Sequence, residues 1–201
     1  KWHDGSPLSP ADFVMSIIML FDPAKPESVL YDEAAAPGTE GYQSHFRGVR
    51  IVSVEPLVIE TYDEAFLLDA EVMVGQNNVY PNPTWWPQYG FGEGPWHSIA
   101  LGILAETNGE LAFSTDKAGA LEIEWMSMIS GPSLEILEQK LAQAQSEAYI
   151  PFAATLGSFI TAEEASARYA NLQSFYGEHE HFWVNTGPFV LDKVFPVEST
   201  M

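Results

Sequence analysis

Two β-branched runs, residues 49–54 and 57–62, stand either side of Glu55-Pro56. Valine- and isoleucine-rich stretches favour extended backbone, and a break of this length carrying a proline turns the chain back on itself, so the pair predicts an antiparallel hairpin. Helix signals surround it. Ser9 can cap a helix with Pro10 at its first position and Asp12 three residues on. Phe13, Ile17 and Leu20, with Val14, Ile18 and Phe21 beside them, give that helix a broad apolar face until Asp22-Pro23 stops it, so it should be largely buried. Residues 22–47 read as an irregular connection with at most one short element.

Further on, Pro95 opens a helix through Ile99, Ile103 and Leu104 that ends near Asn108-Gly109. Residues 111–130 stay open between helix and strand. Ser130-Gly131-Pro132 starts a helix with Leu134, Leu137, Leu141, Ala144 and Ala148 at helical spacing. Thr161-Ala162-Glu163-Glu164 is a capping box, with Ala165, Tyr169, Leu172 and Tyr176 behind it and Gly177 expected as the stop. Residues 189–195 form a last strand. The expected class is mixed α/β (α+β): a twisted sheet from the hairpin and that strand, covered by at least four helices.

With 46% apolar residues and 13% aromatics in 201, the chain can bury a real core as one domain. Its 28 acidic residues against 8 basic ones give a formal charge of −20, which repels nucleic-acid phosphates and anionic headgroups. No nucleic-acid partner is expected; the acidity reads as a solvated surface. The absence of cysteine removes disulfides, thiolate metal sites and thiol nucleophiles. The longest apolar stretch, residues 13–21, falls far short of the roughly 20 residues that cross a bilayer.

Carboxylate pairs beside aromatic platforms would suit glycoside hydrolysis, and only Glu93 and Asp4 stand near such rings. Asp4-Gly5 already has a turn to make. Glu178-His179-Glu180-His181 is the densest set of metal-ligand types, but side chains two apart diverge on an extended segment, so a solvated loop after the helix is the default and no metal or cofactor is expected. His3 reads as a turn residue, since no nucleophile motif accompanies it, and no phosphate loop is present. In Thr186-Gly187-Pro188 the glycine and proline shape the backbone ahead of a strand. Residues 80–97 gather four prolines, three glycines and six aromatics. Within them Trp85, Trp86, Tyr89, Phe91 and Trp96 are the candidate ligand-binding rings, offering flat apolar surface to peptide side chains or sugar faces; the alternative is that they pack into the core.

Two strings resemble a known family. Lys1-Trp2-His3-Asp4-Gly5-Ser6-Pro7, followed by Asp12-Phe13, and later Asn185-Thr186-Gly187-Pro188-Phe189 resemble the paired motifs of the extracellular solute-binding proteins of family 5, the oligopeptide, dipeptide and nickel receptors of ABC importers. Trp2, Asp4, Gly5, Pro7, Asp12 and Phe13 fit the first motif, with Ser6 where threonine is commoner. Thr186, Gly187, Pro188 and Phe189 fit the second, with Asn185 in place of a glycine. The resemblance implies one lobe of a type II periplasmic-binding-protein fold and noncatalytic capture of a solute, a peptide first. The implied partners are ABC permease subunits and the remaining lobe of the same receptor, with a homodimer of the isolated piece as another association. It also implies an extracellular or periplasmic location, with the export signal, or a membrane anchor, upstream. Family members are more than twice as long, so residues 1–201 read as a single partial lobe, with a subfamily-specific insertion or its own elements around 70–180. A carbohydrate-binding or carbohydrate-active domain built on the aromatic loop, or a protein-interaction module, are the alternative functions.

Overall fold

Helix α3 (Trp96–Thr107) is apolar around nearly its whole circumference, and a helix of that kind can only sit inside other structure. In the computed structural model every residue from Trp96 to Glu106 is buried. The structure describes residues 1–66, 68–69, 71, 89–91 and 93–195, apart from the side chain of Phe91. Three helices pack on α3: α1 (Pro10–Phe21), α5 (Ser133–Glu147) and α7 (Ala162–His179). A β-carbon on Gly102 would stand 2.5 Å from the Phe113 ring and 2.8 Å from the Met126 sulfur, so glycine there lets these side chains close on α3.

The predicted helix starts are present. The Asp12 carboxylate accepts the Ser9 N–H at 2.9 Å, and Thr161 Oγ1 accepts the Glu164 N–H at 3.1 Å. Helix α1 is buried or half-buried along its length, but its deepest row is Ala11, Met15 and Met19, with Asp12 and Ser16 beside them. The predicted Phe13–Ile17–Leu20 row is only half-buried. Helix α7 runs two residues past Gly177 and stops at Glu180, which takes the left-handed conformation (φ 61°). Leu137, Leu141 and Ala144 of α5 face Ala165, Tyr169, Leu172 and Phe175 of α7 within one core. The connection 22–47 holds a 3₁₀ turn (Asp22–Ala24) and helix α2 (Ala36–Gln43).

The sheet differs from expectation. Strands β1 (Phe46–Val54) and β2 (Leu57–Asp63) pair antiparallel as predicted, Ile51 opposite Ile59 and Val54 opposite Leu57. Gly48, at φ 148°, sits at a register irregularity that an L side chain would resist. No residue of the hairpin is fully buried, and it reaches the rest of the protein through Phe46, whose ring lies 5.5 Å from Phe21 and 5.2 Å from Tyr42. Helices therefore do not cover it. The predicted strand at 189–195 is absent apart from an isolated bridge at Phe195. Among the described residues the hairpin remains a two-stranded sheet that gains no third strand. The ambiguous stretch instead forms a small parallel unit: β3 (Leu111–Ala112), α4 (Thr115–Leu121) and β4 (Glu124–Trp125). A short helix, α6 (Ala153–Leu156), links α5 to α7. The class is α+β, with a helical core and two small sheets at its margin. Among the described residues no helix is long and apolar enough to cross a membrane.

Candidate functional site

The first motif closes on a buried polar network. Residues 2–6 make a tight turn: Trp2 N–H donates to Ser6 O (2.9 Å), Gly5 N–H donates to Trp2 O (3.0 Å), and Gly5 holds φ 88°. Asp4 stabilises the turn, its carboxylate accepting the Ser6 N–H and hydroxyl at 2.9 Å each. Asp4 Oδ2 also lies 2.7 Å from His97 Nε2, with both side chains fully buried. One turn of chain further on, Asp12 is the hub. Its carboxylate accepts Trp2 Nε1–H (3.0 Å), the Ser9 and Trp96 amides (2.9 and 3.0 Å), and Arg168 Nη1–H (3.0 Å).

Arg168, 1% exposed, also donates to Pro7 O (2.6 Å) and Ser9 Oγ (2.9 Å), and its guanidinium lies 5.5 Å from the Trp96 ring centroid. Its Nη1 is 3.4 Å from His97 Nδ1. A guanidinium can only donate, so Nδ1 accepts and His97 carries its proton on Nε2, pointing at Asp4. Motif residues Trp2, Asp4, Pro7 and Asp12 thus tie the chain start to α3 and α7. Phe13 is half-buried on α1, outside the network.

Burial works to raise the Asp4 carboxyl, but hydrogen bonds from His97 and Ser6 outweigh it and hold the group below its ordinary 3.8. A depressed carboxyl stabilises the fold in its charged form. That contribution is complete above the ordinary 3.8 and is lost as pH falls through the lower folded value. The unfolding free energies of the wild type and Asp4→Asn should therefore converge as pH drops from neutral through this range. A constant gap down to about pH 2 would exclude this role.

The second motif meets the first. His3 N–H donates to Asn185 O (2.9 Å), and His3 Nε2 lies 2.9 Å from Gly187 O, across 184 residues of sequence. Tyr89 holds the approach to this junction: its hydroxyl accepts the Val184 N–H (2.7 Å) and faces the carbonyls of Val184 (2.7 Å) and Phe182 (3.0 Å). Burial pushes that hydroxyl well above its usual pKa range. Beyond the junction the chain turns outward; Gly187 and Pro188 are exposed, as are Phe189 and Val190 at 79% and 47%.

The candidate aromatic residues separate. Tyr89 and Trp96 are core residues, 6% and 0% exposed, so neither leaves a ring face for a solute. Trp96 packs edge-on against Tyr169 at 5.7 Å. Both were placed in the loop by sequence because proline and glycine surround them, yet the hydroxyl of one and the backbone amide of the other are bound to buried partners. Trp85, Trp86 and the Phe91 side chain lie outside the described residues. Of the hydrolase candidates, Glu93 is buried and Asp4 is bound on both oxygens. The Glu178–His181 string is not a solvated loop. His181 is buried with Nε2 3.0 Å from Leu191 O, and His179 Nδ1 sits 3.2 Å from Asp192 Oδ1. Among the described residues no three metal-ligating side chains come together.

A cleft of about 620 Å³ opens between the end of α1, residues 30–39 and the β3–α4–β4 unit. Met19, Leu20, Leu30 and Phe113 supply apolar wall, and Trp125, 55% exposed, also lines it. Polar groups converge on it. Asp32 accepts the Ala34 N–H (3.0 Å) and the Ser114 hydroxyl. Glu106 accepts the Phe113 N–H (2.7 Å) and pairs with Lys117 Nζ at 2.6 Å, which also donates to Val29 O (3.2 Å). Sequence reasoning missed the cleft because its residues come from segments read as irregular or ambiguous. It also missed Arg168, although a cation at the buried 165–168–172 spacing, in a chain with only 8 lysines and arginines, was a usable signal.

No family model matches this chain, and no curated protein matches it.

Proposed function

We propose that the chain is a noncatalytic lobe of an importer's solute receptor, of the type II binding-protein class, and that it captures an extracellular solute, a peptide first. The observation that carries this reading is the junction between the two motifs. Segments 184 residues apart, each resembling one half of the family's signature, are hydrogen-bonded to each other through His3, Asn185 and Gly187. The exposed Phe189 and Val190 just beyond the junction, with Val54 and Val58 on the open hairpin, supply apolar surface suited to a second lobe. Capture by two lobes needs such a joint, where small backbone changes open and close the ligand space. The permease subunits and the export of the receptor belong to the same proposal.

A thermal-shift screen against mixed short peptides, oligosaccharides and divalent metals checks it. A ligand at a hundredfold over its Kd adds about 2.7 kcal/mol to the folded state. Stabilisation by peptides without turnover is the expected result. Stabilisation by oligosaccharides alone, or hydrolysis of any of them, would replace the reading with a carbohydrate-active one.

A further inference from the structure

We propose that the cleft between α1 and α4 binds a primary ammonium carried on an apolar or aromatic body. The inference goes beyond the importer reading and stands or falls separately from it, because every residue it uses lies in one cleft of this chain.

Charge decides the class of ligand. The cleft is lined by three carboxylates, Asp32, Glu106 and Asp116, and by one ammonium, Lys117. Lys117 is committed to Glu106 at 2.6 Å and to a backbone carbonyl, so it is held away from Asp32. Among the described residues Asp32 has no lysine, arginine or histidine partner; its donors are a backbone amide and a hydroxyl. Only 8% of Asp32 is exposed, so its charge sits where water screens it poorly. An ionised carboxylate offers about four acceptor positions, and two of its oxygen contacts are taken, which leaves room for an ammonium. Anionic ligands are opposed by Asp32 and Asp116, since Glu106 is already paired with Lys117.

Shape decides the rest. A space of about 620 Å³ is within the range of small-molecule sites and larger than a bare cation needs. Met19, Leu20, Leu30 and Phe113 would cover the apolar body, and the partly exposed Trp125 offers an indole face to a ring or a cation. The net charge of −20 favours the approach of such a ligand at low ionic strength. A free amine and the N-terminus of a short peptide share this chemistry.

Calorimetric titration of the chain at low salt tests it, with phenethylamine against 2-phenylethanol and Phe-Ala against N-acetyl-Phe-Ala. The ammonium member of at least one pair should bind about 10- to 100-fold more tightly than its neutral counterpart, and Asp32→Asn should remove that advantage. The asparagine keeps an acceptor for the Ala34 N–H and turns its amide NH2 toward the Ser114 hydroxyl, which can accept from it, so folding should survive. Trp125→Ala, at an exposed position, is the second variant and should weaken binding of the aromatic probes. Binding of phenethylamine but not Phe-Ala assigns the site to free amines; Phe-Ala as the tighter ligand assigns it to peptide N-termini. Equal binding of charged and neutral members, an unchanged affinity in Asp32→Asn, or no binding of any probe at millimolar concentration would overturn the proposal. An outcome of that kind leaves the importer reading intact, since a second lobe could complete a different site.

Discussion

Asp12→Ala should destabilise the protein by about 3–5 kcal/mol, the largest loss expected from any single substitution outside the apolar core. Asp12 is the buried counter-charge of Arg168, both side chains being 1% exposed, so removing it leaves the guanidinium away from water with only the longer 3.6 Å pair to the partly exposed Glu164. It also orphans Trp2 Nε1–H and the Trp96 amide, two further buried donors. Three distant parts of the chain lose their common anchor: the turn at residues 2–6, the start of α3 and the middle of α7. Urea unfolding followed by circular dichroism measures the loss as a lower midpoint at unchanged slope. The double variant Asp12→Ala/Arg168→Met should recover part of it, because no fully buried charge is then left unpaired and Glu164, the other partner of Arg168, is partly exposed. A loss under about 1 kcal/mol would mean that water reaches Arg168 and the network is not closed.

Trp96→Ala should cost a comparable 3–5 kcal/mol, by cavity formation. The Trp96 side chain is 0% exposed, touches Tyr169 edge-on and lies under the Arg168 guanidinium, so deleting it removes apolar contact and a cation–π partner together. The substitution separates two roles that sequence could not separate. If Trp96 is core, stability falls while the affinity of the folded fraction for any solute stays unchanged. A large drop in affinity with little loss of stability would return Trp96 to the binding surface. Equilibrium unfolding together with calorimetric titration of the same variant gives both numbers.

The two effects differ in kind although their sizes agree. Loss of Trp96 removes favourable burial, whereas loss of Asp12 leaves an unfavourable charge behind. That distinction bears on the motif itself. Trp2, Asp4, Pro7 and Asp12 form a joint that fastens the chain start to α3 and α7, and the second motif locks onto it through His3. Residues of this kind hold the elements of the fold together and are spent on buried partners. The cleft, by contrast, is built from side chains that neither motif contains.

Local chemistry was legible wherever a few neighbouring residues decide the outcome. Ser9, Pro10 and Asp12 start α1 and Thr161 with Glu164 starts α7, because a cap needs only a side chain within three residues of an orphan amide. The hairpin about Glu55-Pro56 formed for the same local reason. Where the next residues could not decide, the tertiary structure did. Residues 111–125 became a strand, a helix and a strand because α3 offered them a surface, and 189–194 stayed out of any sheet because no described strand edge meets them. Gly177 failed to stop α7 because Phe182 stacks on Tyr176 at 4.3 Å, a contact from beyond the helix that outweighs the weak preference of one glycine. The sequence by itself determined the four long helices α1, α3, α5 and α7, the hairpin and the acidic balance, which depend on periodicity, capping and charge counted along the chain. Only the tertiary structure decided that Asp12 and Arg168 share a buried salt bridge 156 residues apart, and that Asp32 faces a cleft with no cation paired to it among the described residues. Burial and pairing depend on which surfaces meet, and that is settled only when the whole core closes.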